Sequence, residues 1–124
     1  MPIAHSRSLY ADRSGYDESR DCVVRALSVA GCMSYADAHA LLARAGRKPR
    51  RGTRIESTMA ALATGFKAQL HYAGRVSLAS FVASHPTGHY VLLTCNHALA
   101  LVDGVVYDWK LTPRCQIRWY AQLA

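Results

Sequence analysis

The chain has 124 residues, 51% of them hydrophobic, and a formal net charge of +7. That length suits one domain with a real core rather than two, and the apolar content excludes a disordered chain. No apolar run approaches the roughly 20 residues of a membrane span and no signal-peptide apolar stretch opens the chain, so a cytosolic protein is expected.

Residues 1–18 are polar and irregular and read as a surface arm or extended lead-in to a single domain over 1–124. A helix is predicted over 21–30, with Asp21 or Ser19 as N-cap, an apolar stripe of Val23, Ala26, Leu27 and Ala30, and Gly31 as its stop. Ser34 caps a second helix from Tyr35 to Ala45. Thr53 opens a third, through about Ala63, which Gly65 ends. Lys67 to Tyr72 alternates as a strand does, and Ser77 caps a short helix over 78–84. Four strands follow, at 90–94, 97–102, 105–109 and 116–120. Helices first and an antiparallel sheet second make an α+β fold, with the N-terminal helices packed on the C-terminal sheet.

Asp103-Gly104 joins two apolar runs by the two-residue turn that best fits the twist of paired strands. With that turn Val102 faces Val105, Leu101 faces Val106 and Leu99 faces Asp108. His97 and Asp108 then share a sheet face as diagonal neighbours, with Cβ atoms about 7 Å apart or less, within reach of an imidazole–carboxylate hydrogen bond. Leu99, Leu101 and Val106 fall on one face of the hairpin and Ala98, Ala100, Val102, Val105, Tyr107 and Trp109 on the other. Both faces are apolar, so both need cover.

Cys22 stands at the start of the first predicted helix, where the helix dipole and a nearby imidazolium favour a thiolate. Asp21 opposes this by like charge unless its carboxylate is occupied in capping the helix. Together, Cys22, His97 and Asp108 supply a nucleophile, a base and a group to orient the base. The expected geometry puts the His97–Asp108 pair on the sheet face toward the start of the Cys22 helix. His89 is the rival base. A direct turn through Cys95-Asn96 makes residues 94 and 97 face each other and sends His89, opposite Val102, to the other sheet face; its exclusion rests on that turn. The remaining cysteines, Cys32, Cys95 and Cys115, read as small buried hydrophobes and free thiols. Zinc spacings built on Cys32 and His39, or on Cys95 and His97, fit no common module, and no metal or organic cofactor is implied.

Six of the fifteen basic residues, Arg44, Arg47, Lys48, Arg50, Arg51 and Arg54, crowd a segment broken by Gly46, Pro49 and Gly52. It reads as a surface loop, either a solvated connector or a dock for an acidic partner, and it lacks the interleaved aromatics that favour nucleic acid. A protein or peptide partner, acidic in character, fits better than nucleic acid, and no membrane is expected.

The order of helix-borne cysteine, sheet-borne histidine and aspartate on the next strand resembles the papain-like cysteine peptidase superfamily. Asn96-His97-Ala98-Leu99 is similar to the stretch around that family's histidine. Asp21 to Ala26 and the 97–108 hairpin also resemble small papain-like proteins of phages and bacteria. The resemblance implies Cys22 as nucleophile, His97 as general base and Asp108 as the orienting residue of a thiol hydrolase or acyltransferase. Papain-like enzymes usually place a Gln shortly before the cysteine. Here Tyr16 to Arg20 contains none, which leaves the oxyanion to the Cys22 backbone N–H with Ser19, Arg20 or Asn96 as candidates. A weaker oxyanion site costs about 10²–10³ in turnover, so a catalytically idle domain that binds a partner protein, such as a phage-encoded modulator of a host protein, is one alternative, and a basic nucleic-acid-associated protein using the 44–54 loop is another.

Overall fold

A computed structural model describes residues 3–5, 18, 20–108 and 115–123. In chain order the elements are β1 (Ile3–His5), α1 (Cys22–Ala30), α2 (Tyr35–Arg44), α3 (Ile55–Phe66), β2 (His71–Ser77), α4 (Leu78–Ser84), β3 (His89–Leu93), β4 (Ala98–Val102), β5 (Val105–Asp108) and β6 (Gln116–Gln122). Serine caps set two of the helix starts as expected. Ser34 accepts from the Asp37 N–H at 3.0 Å and Ser77 from the Ser80 N–H at 3.2 Å, each satisfying a donor the helix itself leaves open.

Three local expectations need correction. Asp21 occupies the N-cap position of α1 but makes no side-chain capping bond. Gly65 does not end α3, which runs on to Phe66 and stops at Lys67 in the left-handed conformation. The glycine serves packing instead: a Cβ there would lie 2.6 Å from Leu41 Cδ2, so its absence lets α2 and α3 approach closely. The strand expected over 67–72 begins only at His71 and continues to Ser77. Gly74 and Arg75 both have positive φ, and the pairing with β6 shifts between Tyr72 and Val76, a bulge that hides the alternation.

The six strands form one sheet in the order β1-β5-β4-β3-β6-β2, antiparallel throughout except for the parallel β1–β5 pair. Of residues 1–18, Ile3–His5 pair with β5 as β1 and, as shown below, Glu18 is held by Arg47. One face of the sheet, with Val91, Leu93, Ala98, Ala100 and Ala121, packs against α1, α2 and α3 through residues such as Leu27, Leu42 and Leu62. The other face, with Leu92, Leu99, Leu101, Val106 and Ile117, is covered by Leu78, Phe81 and Val82 of α4. Both faces are therefore dry, as the doubly apolar hairpin requires, and the α+β architecture places the start of α1 beside one end of the sheet. Among the described residues no helix is long and apolar enough to cross a membrane.

Candidate active site

Asp103 (φ 47°) and Gly104 (φ 81°) are both left-handed, the conformation a tight hairpin turn demands. The register is the expected one, with Val102 opposite Val105 and Leu101 opposite Val106. At the far end of this hairpin the His97 Nε2–H donates to Asp108, 3.0 Å from each carboxylate oxygen. The carboxylate is 4% exposed and the imidazole 22%. Burial acts to lower the His97 pKa, but the Asp108 hydrogen bond and charge, together with the Cys22 side chain, outweigh it and raise the pKa to about 9. Nε2 is committed to Asp108, which leaves Nδ1 free of that bond, and Cys22, on the same cleft, is the other group that helps to raise the pKa of the ring.

The sheet face differs from the expectation. Side-chain alternation puts Asp108 with Leu99, Leu101 and Val106, the residues facing α4 rather than α1. His97 lies just outside the β3–β4 ladder, which ends at the Leu93–Ala98 pair, and lines the same cleft as Cys22.

Cys22 is the first residue of α1 and is half-buried. The preceding Asp21 is 1% exposed and is held by Tyr35, whose hydroxyl donates to Oδ2 at 2.7 Å, and by Arg25, 3.0 Å from Oδ1. Its negative charge is therefore offset beside the thiol, and its diversion from capping leaves the first N–H groups of α1 without a side-chain cap. Those donors are what a developing oxyanion needs.

One turn upstream, Glu18 gathers four bonds. Its carboxylate accepts from Arg47 Nη1 and Nη2 at 3.0 and 2.9 Å, from the Arg50 backbone N–H at 2.8 Å, and bonds His39 Nε2. Burial pushes the Glu18 pKa up, but the Arg47, Arg50 and His39 bonds prevail and bring it down to about 2. Arg47 is correspondingly buried, so it is not a surface partner-binding residue as its loop position suggested. Arg44, Lys48, Arg50, Arg51 and Arg54 are exposed as expected.

Cys22 and His97 open onto a cleft of about 870 Å³. Arg20 and Asn96 also line it, while Ser19 lies outside the described residues; Asp108 stands behind the imidazole. Gly52, Thr53 and Ile55 form part of the wall, which brings the basic loop to the cleft instead of leaving it remote. His89 faces Val102 on the other sheet face, with its Nδ1 3.0 Å from the Ala30 carbonyl and 3.6 Å from Cys32 Sγ. It takes no part in the cleft. Sequence reading missed Glu18, Tyr35, Arg118 and Trp119, the last two being cleft residues on β6. Glu18 and Arg47 are 29 residues apart, and no local pattern couples them.

Comparison of the chain with family models, with curated proteins and with solved structures gave no match.

Proposed function

We propose that the protein is a thiol-dependent hydrolase or acyltransferase with a papain-like arrangement, attacking an amide or thioester carbonyl through Cys22, His97 and Asp108. The observation that carries this reading is a single imidazole bound through Nε2 to a buried carboxylate and sharing one cleft with a thiol at a helix N-terminus. In the forward step the Cys22 sulfur bonds to the acyl carbon, and the proton held on His97 passes to the departing nitrogen or sulfur as its bond to carbon breaks. The uncapped N–H groups at the start of α1 take the oxyanion load, with Asn96 and Arg20 at the cleft edge. His97 then withdraws a proton from water, or from an acceptor amine, which attacks the thioester and frees Cys22. Asp108 holds the ring in the tautomer that leaves Nδ1 toward sulfur. The four cysteines are free thiols, which suits a reducing compartment such as the cytoplasm.

The test uses a small uncharged aryl thioester and intact-mass detection. The reading predicts an acyl adduct at Cys22 that forms and then clears, with no adduct there in Cys22→Ser. His97→Ala should slow its formation by about 10²-fold or more. Acylation of Cys22 no faster than that of the exposed Cys32 and Cys95 would assign the cleft to binding a partner protein rather than to catalysis.

A further inference from the structure

Charges around the cleft do not balance. Its two acidic side chains, Glu18 and Asp21, are consumed internally: Glu18 by Arg47, His39 and the Arg50 N–H, Asp21 by Arg25 and Tyr35. Arg20 and Arg118 also line the cleft, brought there by different elements, one from the residues before α1 and one from β6. Neither pairs with a carboxylate among the described residues. Exposed Arg51 and Arg54 flank Gly52 and Thr53 in the cleft wall and extend the same sign of charge to the rim. A cleft lined by one sign of charge attracts and orients the opposite sign.

Building on the thiol-acyl reading above, we infer that the substrate is an acidic polypeptide segment, with carboxylate side chains flanking the carbonyl presented to Cys22 and held by Arg118 and Arg20. The apolar part of the cleft, Leu93, Ala98 and Trp119, receives the chain between those charges. Nucleic acid would meet the same arginines but offers Cys22 no acyl carbon, which is why a peptide is favoured.

Chloroacetyl-capped tetrapeptides that differ only in having two Asp or two Lys residues test the inference. In each, the Cys22 thiolate bonds to the methylene carbon and chloride leaves. The Asp peptide is expected to label Cys22 about tenfold faster than the Lys peptide at low salt, with the preference shrinking as salt rises. Arg118→Ser should reduce the ratio, and the charge reversal Arg118→Glu should reduce it further. Because the wild-type ratio is internal to one folded protein, a poorly folding variant does not remove the test. Equal rates for the two peptides, alongside normal acylation of Cys22 by the uncharged thioester, overturn the acidic substrate and leave the catalytic reading standing. Failure of the thioester reaction itself overturns that reading. If an oligonucleotide protects Cys22 better than a poly-glutamate peptide of equal charge, the cleft is a nucleic-acid site and the inference is wrong.

Discussion

Helix α1 carries a cysteine near each end, and each has an imidazole for company. Cys22 opens the helix and meets His97; Cys32 lies two residues beyond its end, with its sulfur 3.6 Å from His89 Nδ1. The surroundings differ in two respects. Cys22 sits at the positive, N–H end of the helix dipole, whereas Cys32 lies beyond its carbonyl end. Behind His97 stands a buried carboxylate, while the same His89 nitrogen is 3.0 Å from the carbonyl of Ala30. A thiol–imidazole contact alone is thus a common packing outcome. On the proposed reading, dipole and carboxylate together turn one such pairing into chemistry.

The firmest support on the Cys22 side is the Glu18 clasp. Glu18→Ala leaves Arg47 charged and buried, so unfolding in urea should show a loss of about 3–5 kcal/mol. A loss below about 1 kcal/mol would show that the clasp does not hold the lead-in to Cys22.

Stability against pH separates the groups. Glu18 has a folded pKa of about 2 against an ordinary 4.5, so its contribution is present above pH 4.5 and is lost as pH falls toward 2. His97 has the opposite sign: with a pKa raised from 6.5 to about 9, its contribution is present below pH 6.5 and is lost as pH rises through 9. With solvent screening, each side amounts to at most about 3 kcal/mol, and both act between pH 4.5 and 6.5. Thermal unfolding across pH 2–10 should therefore lose its acid slope in Glu18→Ala and its alkaline slope in His97→Ala. An alkaline slope that persists in His97→Ala would deny the imidazolium its place.

Smaller effects mark the boundary of the site. Tyr35→Phe removes the hydroxyl that binds the buried Asp21 carboxylate and should cost about 1–3 kcal/mol in unfolding free energy. His89→Gln should change the alkylation rate of Cys32 less than about threefold, since among the described residues no carboxylate bonds that histidine. A larger fall at Cys32 would make the two pairs alike and undo the comparison.

How much of this the sequence discloses follows from the range of the interactions. The His97–Asp108 pair was legible because one two-residue turn fixes the register over the whole hairpin. Serine caps gave α2 and α4 their starts for the same local reason. The face on which His97 meets Cys22 was not legible, because alternation ends with the ladder at Ala98. Nor was the Glu18–Arg47 pair, formed across 29 residues, or the cleft role of Arg118 and Trp119, which depends on β6 inserting between β3 and β2. Gly65 misled because a glycine that admits a neighbouring helix looks, in sequence, like one that ends its own.

Site-resolved iodoacetamide labelling of the four cysteines near neutral pH, in the native protein and in His97→Ala, tests the central claim most directly. Cys32 and Cys95 are more exposed than Cys22, so access alone would make them react first, while burial and the nearby Asp108 push the Cys115 thiol up and should leave it slow. The account predicts that Cys22 is alkylated fastest and that His97→Ala lowers its rate by about 10²-fold while the rates of Cys32 and Cys95 hold. Labelling of Cys22 that is slower than that of the exposed cysteines, or indifferent to His97, would contradict it.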